Sequence, residues 1–238
     1  MFQSNKEYKN FLIQSGVHTF LKDTPNKLLE NQQNQPKSKE KKDLKKLDEI
    51  NKIQDLIPLI SNHKSALKNN AKKMVLYDGN VNSHLMIIGE APGQEEDEQG
   101  IPFVGRAGQL LNKMLSAINL DRKDIYITNV VPWRPPNNRT PTEDEILECL
   151  PILQKQIEII NPKLIFLLGK TAAKAILTTP LQLSKLRKVW HTYKTINMNK
   201  NVNVLVSYHP AFLLRSPEFK KEAWIDLKIL EKKIINEN

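Results

Sequence analysis

A three-layer α/β/α domain is the fold the sequence predicts. Its core is a central, mostly parallel sheet of about four strands, and a helical N-terminal extension precedes it. Three observations predict it. Strand-length apolar segments recur from residue 74 onward, helix-period segments separate them, and capping or breaking residues sit at the joints. Taken in order, residues 5–21 place Tyr8, Phe11, Leu12, Val17, Phe20 and Leu21 at helical spacing, so an amphipathic helix is expected within residues 1–22. Residues 23–43 are rich in Gln, Asn and Lys and poor in apolar side chains, the composition of a flexible linker. Residues 44–67 return to helical spacing, with Leu47, Ile50, Ile53, Leu56, Ile57 and Ile60 on one face, and open a domain expected to span 44–238.

Strands are expected at 74–77, 85–89, 125–129, 164–168, 189–196 and 202–207, and helices at 105–118, 142–160, 171–177 and 217–235. Thr142 with Glu145 three residues later has the form of a capping box, and Asn161-Pro162 ends that helix. Short apolar strands alternating with helices form a mostly parallel sheet covered on both faces. Ligands of such sheets bind beyond the carboxyl ends of the strands, so the loops after Gly89, Asn129 and Ser207 are where chemistry is expected.

Composition narrows the partner. The 238 residues carry a formal net charge of +10, with 39% hydrophobic and 26% charged side chains. A basic chain favours a polyanion, nucleic acid first; a lysine-rich surface of no functional meaning is the alternative. The longest apolar runs, 85–88 and 164–168, are far too short to span a bilayer. The opening residues lack the charged-then-apolar order of a secretory signal, which predicts a cytoplasmic protein. The single cysteine, Cys149, makes neither an intrachain disulfide nor an all-cysteine metal site.

Residues 89–108 hold Gly89, Gly93, Gly100, Gly105 and Gly108, five of the chain's eight glycines, which implies tight turns or close approach to a ligand. Glu90, Glu95, Glu96, Asp97 and Glu98 crowd the same stretch. It reads equally as a solvated acidic loop or as a carboxylate cluster for a metal ion. A phosphate-binding loop is disfavoured, because the glycine-lysine-serine/threonine ending is absent and the acid density repels phosphate. In residues 128–142, Asn129 stands at a strand end, and Arg134 and Arg139 flank the Pro135-Pro136 pair. An amide offers the donor and acceptor that read a nucleobase edge, and the arginines suit phosphates. A proline-rich connection in which Asn129 caps local backbone explains the same residues. In residues 207–219, His209 directly follows a strand, where a lone histidine is more often structural than catalytic. Leu213, Leu214 and Arg215 fit an apolar wedge with a phosphate anchor, or a helix burying two leucines.

At these residues the chain resembles the uracil-DNA glycosylase superfamily, in its family 4, thermophile-type branch. Gly89-Glu90-Ala91-Pro92-Gly93 with Pro102-Phe103-Val104-Gly105-Arg106-Ala107-Gly108 is similar to the first motif. Ile127-Thr128-Asn129-Val130-Val131 with Arg134-Pro135-Pro136 is similar to the middle motif, and His209-Pro210-Ala211 with Leu213-Leu214-Arg215 to the last. The similarity runs from about residue 60 to 234. It implies a monomer that flips uracil out of DNA and hydrolyses its bond to deoxyribose. Phe103 is then expected to stack on the base, Asn129 to read its edge, and His209 to donate to the carbonyl beside the glycosidic nitrogen. Glu90 is expected near the attacking water, the Ala91 backbone against the base, and Glu96 against the 5-position to exclude thymine. Arg106, Arg134, Arg139, Leu214 and Arg215 become the expected DNA contacts.

The chain departs from the branch at one feature. Family 4 enzymes hold a four-iron, four-sulfur cluster on four cysteines, and alignment places Asn62, Ser65, Trp133 and Cys149 at those positions. Asn and Trp supply no thiolate, so no cluster, and no cofactor or metal of any kind, is expected. Trp133 is expected to fill the space, and Cys149 to be a buried, inert thiol. No lysine stands out as a lyase nucleophile, which predicts a monofunctional enzyme. Two further readings belong to other classes. One is a non-catalytic module that binds uracil or single strands, tied through the N-terminus to a DNA polymerase or repair complex. The other is a covalent trap using His191, disfavoured because residues 191–208 lack an arginine-rich inserted loop. A metal-dependent hydrolase built on residues 95–98 is disfavoured too.

Overall fold

A computed structural model of the protein describes residues 47 and 49–237. The helix expected within 1–22 and the linker expected at 23–43 lie outside these residues. Among the described residues six strands form one sheet: β1 (Tyr77–Gly79), β2 (Leu85–Gly89), β3 (Tyr126–Asn129), β4 (Leu164–Leu168), β5 (His191–Tyr193) and β6 (Val202–Ser207). Their spatial order is β1-β3-β2-β4-β6-β5. The central four, β3-β2-β4-β6, are parallel, in registers such as Ile87 opposite Ile127 and Phe166, and Phe166 opposite Leu205. The sheet therefore has the four parallel strands expected, extended at each margin by a short antiparallel strand.

Alternation along each strand builds two cores. Met86, Ile88, Ile165, Leu167, Val204 and Val206 face one layer of helices, and Leu85, Ile87, Leu164, Phe166, Leu168 and Leu205 face the other. The first layer is α1 (Ile53–Ser61), α2 (Ala66–Asn70), α5 (Glu143–Ile160) and α6 (Lys170–Leu177); the second is α4 (Arg106–Ser116), α8 (Pro210–Arg215) and α9 (Lys220–Glu237). Thr142 and Glu145 form the expected capping box at the start of α5, and Asn161 closes it in the left-handed conformation.

Four expectations are corrected. The strand expected at 74–77 lies at Tyr77–Gly79. Val75 instead donates its N–H to the Pro132 carbonyl in the loop after β3, at 2.8 Å, and Leu76 accepts from the Thr128 hydroxyl. The strand expected at 189–196 shrinks to three residues, because only His191, Thr192 and Tyr193 face β6; Ile196 is 94% exposed. The helix expected over 44–67 is broken within the described part. Residues 62–64 are non-helical, and the Ser65 hydroxyl accepts from Leu67 N–H to start α2. The helix expected at 217–235 begins with a 3₁₀ turn, Pro217–Phe219, before α9. Two short helices were not expected: α3 (Gln94–Gln99) in the acidic stretch, and α7 (Leu183–Leu186).

Candidate active site

The sheet order reverses around β2, whose neighbours β3 and β4 both follow it in sequence, and a cleft of about 150 Å³ opens at the carboxyl ends of these strands. Every parallel strand delivers to this end of the sheet. Glu90 follows β2, Asn129 ends β3, Thr171 follows β4, and His209 follows β6. Glu90, Ala91, Glu96, Phe103, Asn129 and His209, the six residues expected to handle the base and the reaction, all line this one cleft. Arg139 lines it as well.

Its polar lining is unfinished. Asn129 Oδ1 and His209 Nε2 are both buried and have no hydrogen-bond partner. Buried polar atoms of folded proteins are nearly always paired, so these two, lining one cleft, are available to a polar ligand. His209 has a defined tautomer: Ala211 N–H donates to its Nδ1 at 3.2 Å, which leaves the ring proton on Nε2. Burial, helped by the Arg215 charge, pulls the imidazole down to about 4. Near neutral pH it is an uncharged donor.

Phe103 supplies the apolar face. Its ring lies 5.6 Å from that of His209, with 30° between their planes, and its backbone is left-handed at φ 54°. A Cβ on Gly89 would lie 2.4 Å from both Asn129 Oδ1 and the Phe103 ring, and one on Gly108 would lie 1.8 Å from the Phe103 carbonyl oxygen. Only glycine lets the amide, the ring and the start of α4 crowd together in this way. Glu96 staples the same loop: its carboxylate accepts from the backbone N–H of Gly93, Val104 and Gly105 at 3.1, 3.0 and 2.9 Å. Sequence reasoning gave Glu96 a substrate-facing role, or a place in a solvated or metal-binding acidic stretch, and this structural role was missed.

Two further residues were missed. The Thr171 hydroxyl donates to Glu90 Oε2 and so orients that carboxylate. It sits in the first turn of α6, three residues past β4, where no local motif marks it. Arg122 donates to the carbonyls of Pro102 and Phe103 and to the side chains of Asp78 and Asn112. It carries no motif signal.

The expected DNA contacts divide. Arg106 and Arg215 are exposed and have no carboxylate partner among the described residues. Arg139 grips Glu145 with two bonds of 2.7 and 2.6 Å, which pulls that carboxyl down to about 2. Arg134 donates to Asn138 at 2.7 Å and stands 3.9 Å from buried Asp97. Leu213 is in the core and Leu214 is half-buried on α8, so of the two leucines only Leu214 presents surface. Arg106, Arg134, Leu214 and Arg215 stand outside the cleft lining; Arg106 lines an adjoining groove with Glu95 and Asn138.

The positions aligned with cluster ligands do not fit a four-thiolate cluster. Asn62 is exposed at the end of α1, and the Ser65 hydroxyl is spent on its helix cap. Trp133 is 2% exposed and parallel to His63, with centroids 6.1 Å apart, and His63 Nε2 meets Glu148 Oε1 at 3.0 Å. Cys149 alone offers sulfur, and burial pushes its thiol up to about 12, the state of an inert core residue. No group of three or more His, Cys, Asp or Glu suited to a metal occurs among the described residues. His191 hydrogen-bonds the Leu186 carbonyl at 2.8 Å and does not line the cleft. No helix among the described residues is long and apolar enough to cross a membrane.

The sequence model of the uracil DNA glycosylase superfamily matches residues 76–228. The chain is 43% identical over 178 residues to a type-4 uracil-DNA glycosylase of Pyrobaculum aerophilum, which covers 74% of this chain and 91% of that protein. It is 43% identical over 152 residues to a type-4 uracil-DNA glycosylase of Archaeoglobus fulgidus, 63% of this chain and 76% of that one. A DNA polymerase of Bacillus phage SP01 is 30% identical over 153 residues, 64% of this chain but 16% of the polymerase. The matched span contains all four strand ends that build the cleft, and the chain belongs to the uracil-DNA glycosylase superfamily.

Proposed function

We propose that this protein is a monofunctional uracil-DNA glycosylase that extrudes uracil from DNA, hydrolyses its N-glycosidic bond without an iron–sulfur cluster, and leaves an abasic site. The observation that carries the reading is the pair of orphaned buried atoms, Asn129 Oδ1 and His209 Nε2, lining one cleft with the Phe103 ring. A flat base with donors and acceptors on its edge satisfies both at once.

Extrusion costs a few kcal/mol in unstacking and unpairing. Stacking on Phe103 returns about 1–3 kcal/mol. The Asn129 amide reads the uracil edge, and Ala91 and Glu96 border the base. Glycosidic cleavage places negative charge on the departing uracil and positive charge on the sugar. Neutral His209 donates its Nε2 proton as a hydrogen bond to the developing oxyanion, an interaction worth about 3–4 kcal/mol in comparable oxyanion sites. Glu90, held by Thr171, orients water and faces the cationic sugar. Arg106, Arg134, Arg139 and Arg215 take the phosphates, and Leu214 takes the gap in the stack. One chain carries every group the scheme uses, so a monomer suffices. Residues 44–238 form the catalytic domain of a cytoplasmic repair enzyme.

The test is excision from end-labelled single strands carrying one uracil, thymine or cytosine. Strand breakage at uracil alone, and only after alkali, is expected. Breakage without alkali, or at thymine, contradicts the scheme. A second reading, a uracil-binding module recruited to a polymerase, rests on the match to the phage polymerase; retention of uracil-containing DNA without breakage would favour it.

A further inference from the structure

We propose that Arg122 is a positioning residue for the base-stacking ring: its guanidinium holds the backbone of Pro102 and Phe103 and so fixes the surface on which the extruded base lies. The inference rests on the glycosylase reading for its substrate. Arg122 opens the 3₁₀ turn Arg122–Asp124 before β3, and Asp121 caps that turn by accepting from Lys123 N–H at 3.1 Å. From there one fork of donors serves three separate parts of the chain. It bonds the Phe103 carbonyl at 2.8 Å and the Pro102 carbonyl, Asn112 on α4 at 3.2 Å, and Asp78 on the edge strand β1 at 2.5 Å.

This concentration has a physical reason. Phe103 is the one aromatic residue with a left-handed backbone among the described residues, a conformation that bulky side chains hold only when their surroundings over-determine it. Gly108 crowds its carbonyl from one side, and Arg122 takes the two successive carbonyls that the turn exposes. Asp78 steadies the fork. β1 is pressed against the turn so closely that a Cβ on Gly79 would lie 1.8 Å from the Ile125 carbonyl oxygen. A planar fork of donors can serve these four acceptors together, whereas an ammonium group lacks that geometry.

The test is a double-mutant cycle between Arg122 and Phe103, read as KM and kcat on uracil-containing single strands and as inhibition by free uracil. Arg122→Ala should raise KM and weaken uracil inhibition by about tenfold, within the range that one stacked base contributes, with a smaller change in kcat. In a Phe103→Ala background it should add nothing to KM. An equal fold-loss in both backgrounds overturns the proposal, because a purely structural arginine would act whether or not the ring is present. Arg122→Lys is carried through the same cycle and decides the matter if the alanine variant fails to fold. Hydrogen exchange at the Val104 and Gly105 amides gives a reading independent of activity. Faster exchange in the Arg122 variants supports the clamp, and unchanged exchange contradicts it. Wild-type protein that excises nothing overturns the glycosylase reading instead, and the exchange result still decides the clamp.

Discussion

At the scale of single residues, the site depends on side chains whose ordinary chemistry has been redirected by their surroundings. His209 is the clearest. Burial holds its folded pKa at about 4, below the ordinary 6.5, so the ring stays neutral and donating across roughly pH 5–8. The activity profile should therefore lack a histidine break near 6.5; a fall in kcat/KM centred there would contradict a neutral donor. The same depression links to stability. The unfolded chain binds this proton more readily, so the contribution is complete above about 6.5 and is lost as pH falls toward 4. His209→Ala should lower kcat by about 10²–10³, the loss seen when one oxyanion donor is removed. Thr171→Val leaves Glu90 without its hydroxyl partner and should reduce kcat by roughly tenfold while DNA binding persists; a normal kcat would show that Glu90 needs no such support. That Asn129 and His209 meet in one place was legible in the sequence because each sits in a local motif at a strand end, and Phe103 was legible through the glycine-rich stretch that follows β2. Thr171 and Arg122 were not, since the partner of Thr171 lies 81 residues away in the chain, those of Arg122 lie 10 to 44 away, and only the fold brings them together.

At the scale of elements, burial decided what was legible. Strands β2, β4 and β6 were expected at their observed bounds because both faces of each are largely covered, which makes them predominantly apolar. The margins β1 and β5 were misplaced because edge strands are short and half-exposed, and their limits are set by the partner strand. Helix α3 was invisible because its residues carry no apolar period; Glu96 and the backbone of Gly93 start it through capping. The same scale holds the packing around the positions aligned with cluster ligands. Trp133 packs in one core with Ile53, Leu56 and Ile60 of α1 and Cys149 of α5. Trp133→Ala should cost about 3–5 kcal/mol, measured by urea unfolding, as large-to-small changes in a packed core do. A loss below 1 kcal/mol would show that the indole does not tie these helices together. Cys149 should resist thiol reagents until the protein unfolds.

At the scale of the whole molecule, charge and topology cooperate. A net charge of +10 favours association with a polyanion, and the parallel sheet gathers four strand ends at one cleft. Arg106 and Arg215 offer exposed charge for phosphates, so Arg215→Ala should weaken binding and lower the salt slope of binding by about one unit; an unchanged slope would exclude that contact. The central claim is that packing alone, without cluster ligation, holds a working uracil site. Its most direct test measures iron content and uracil turnover on one preparation. The account predicts multiple turnovers, unaffected by a metal chelator, from protein that contains no iron. Turnover that appears only after iron and sulfide are supplied would contradict it.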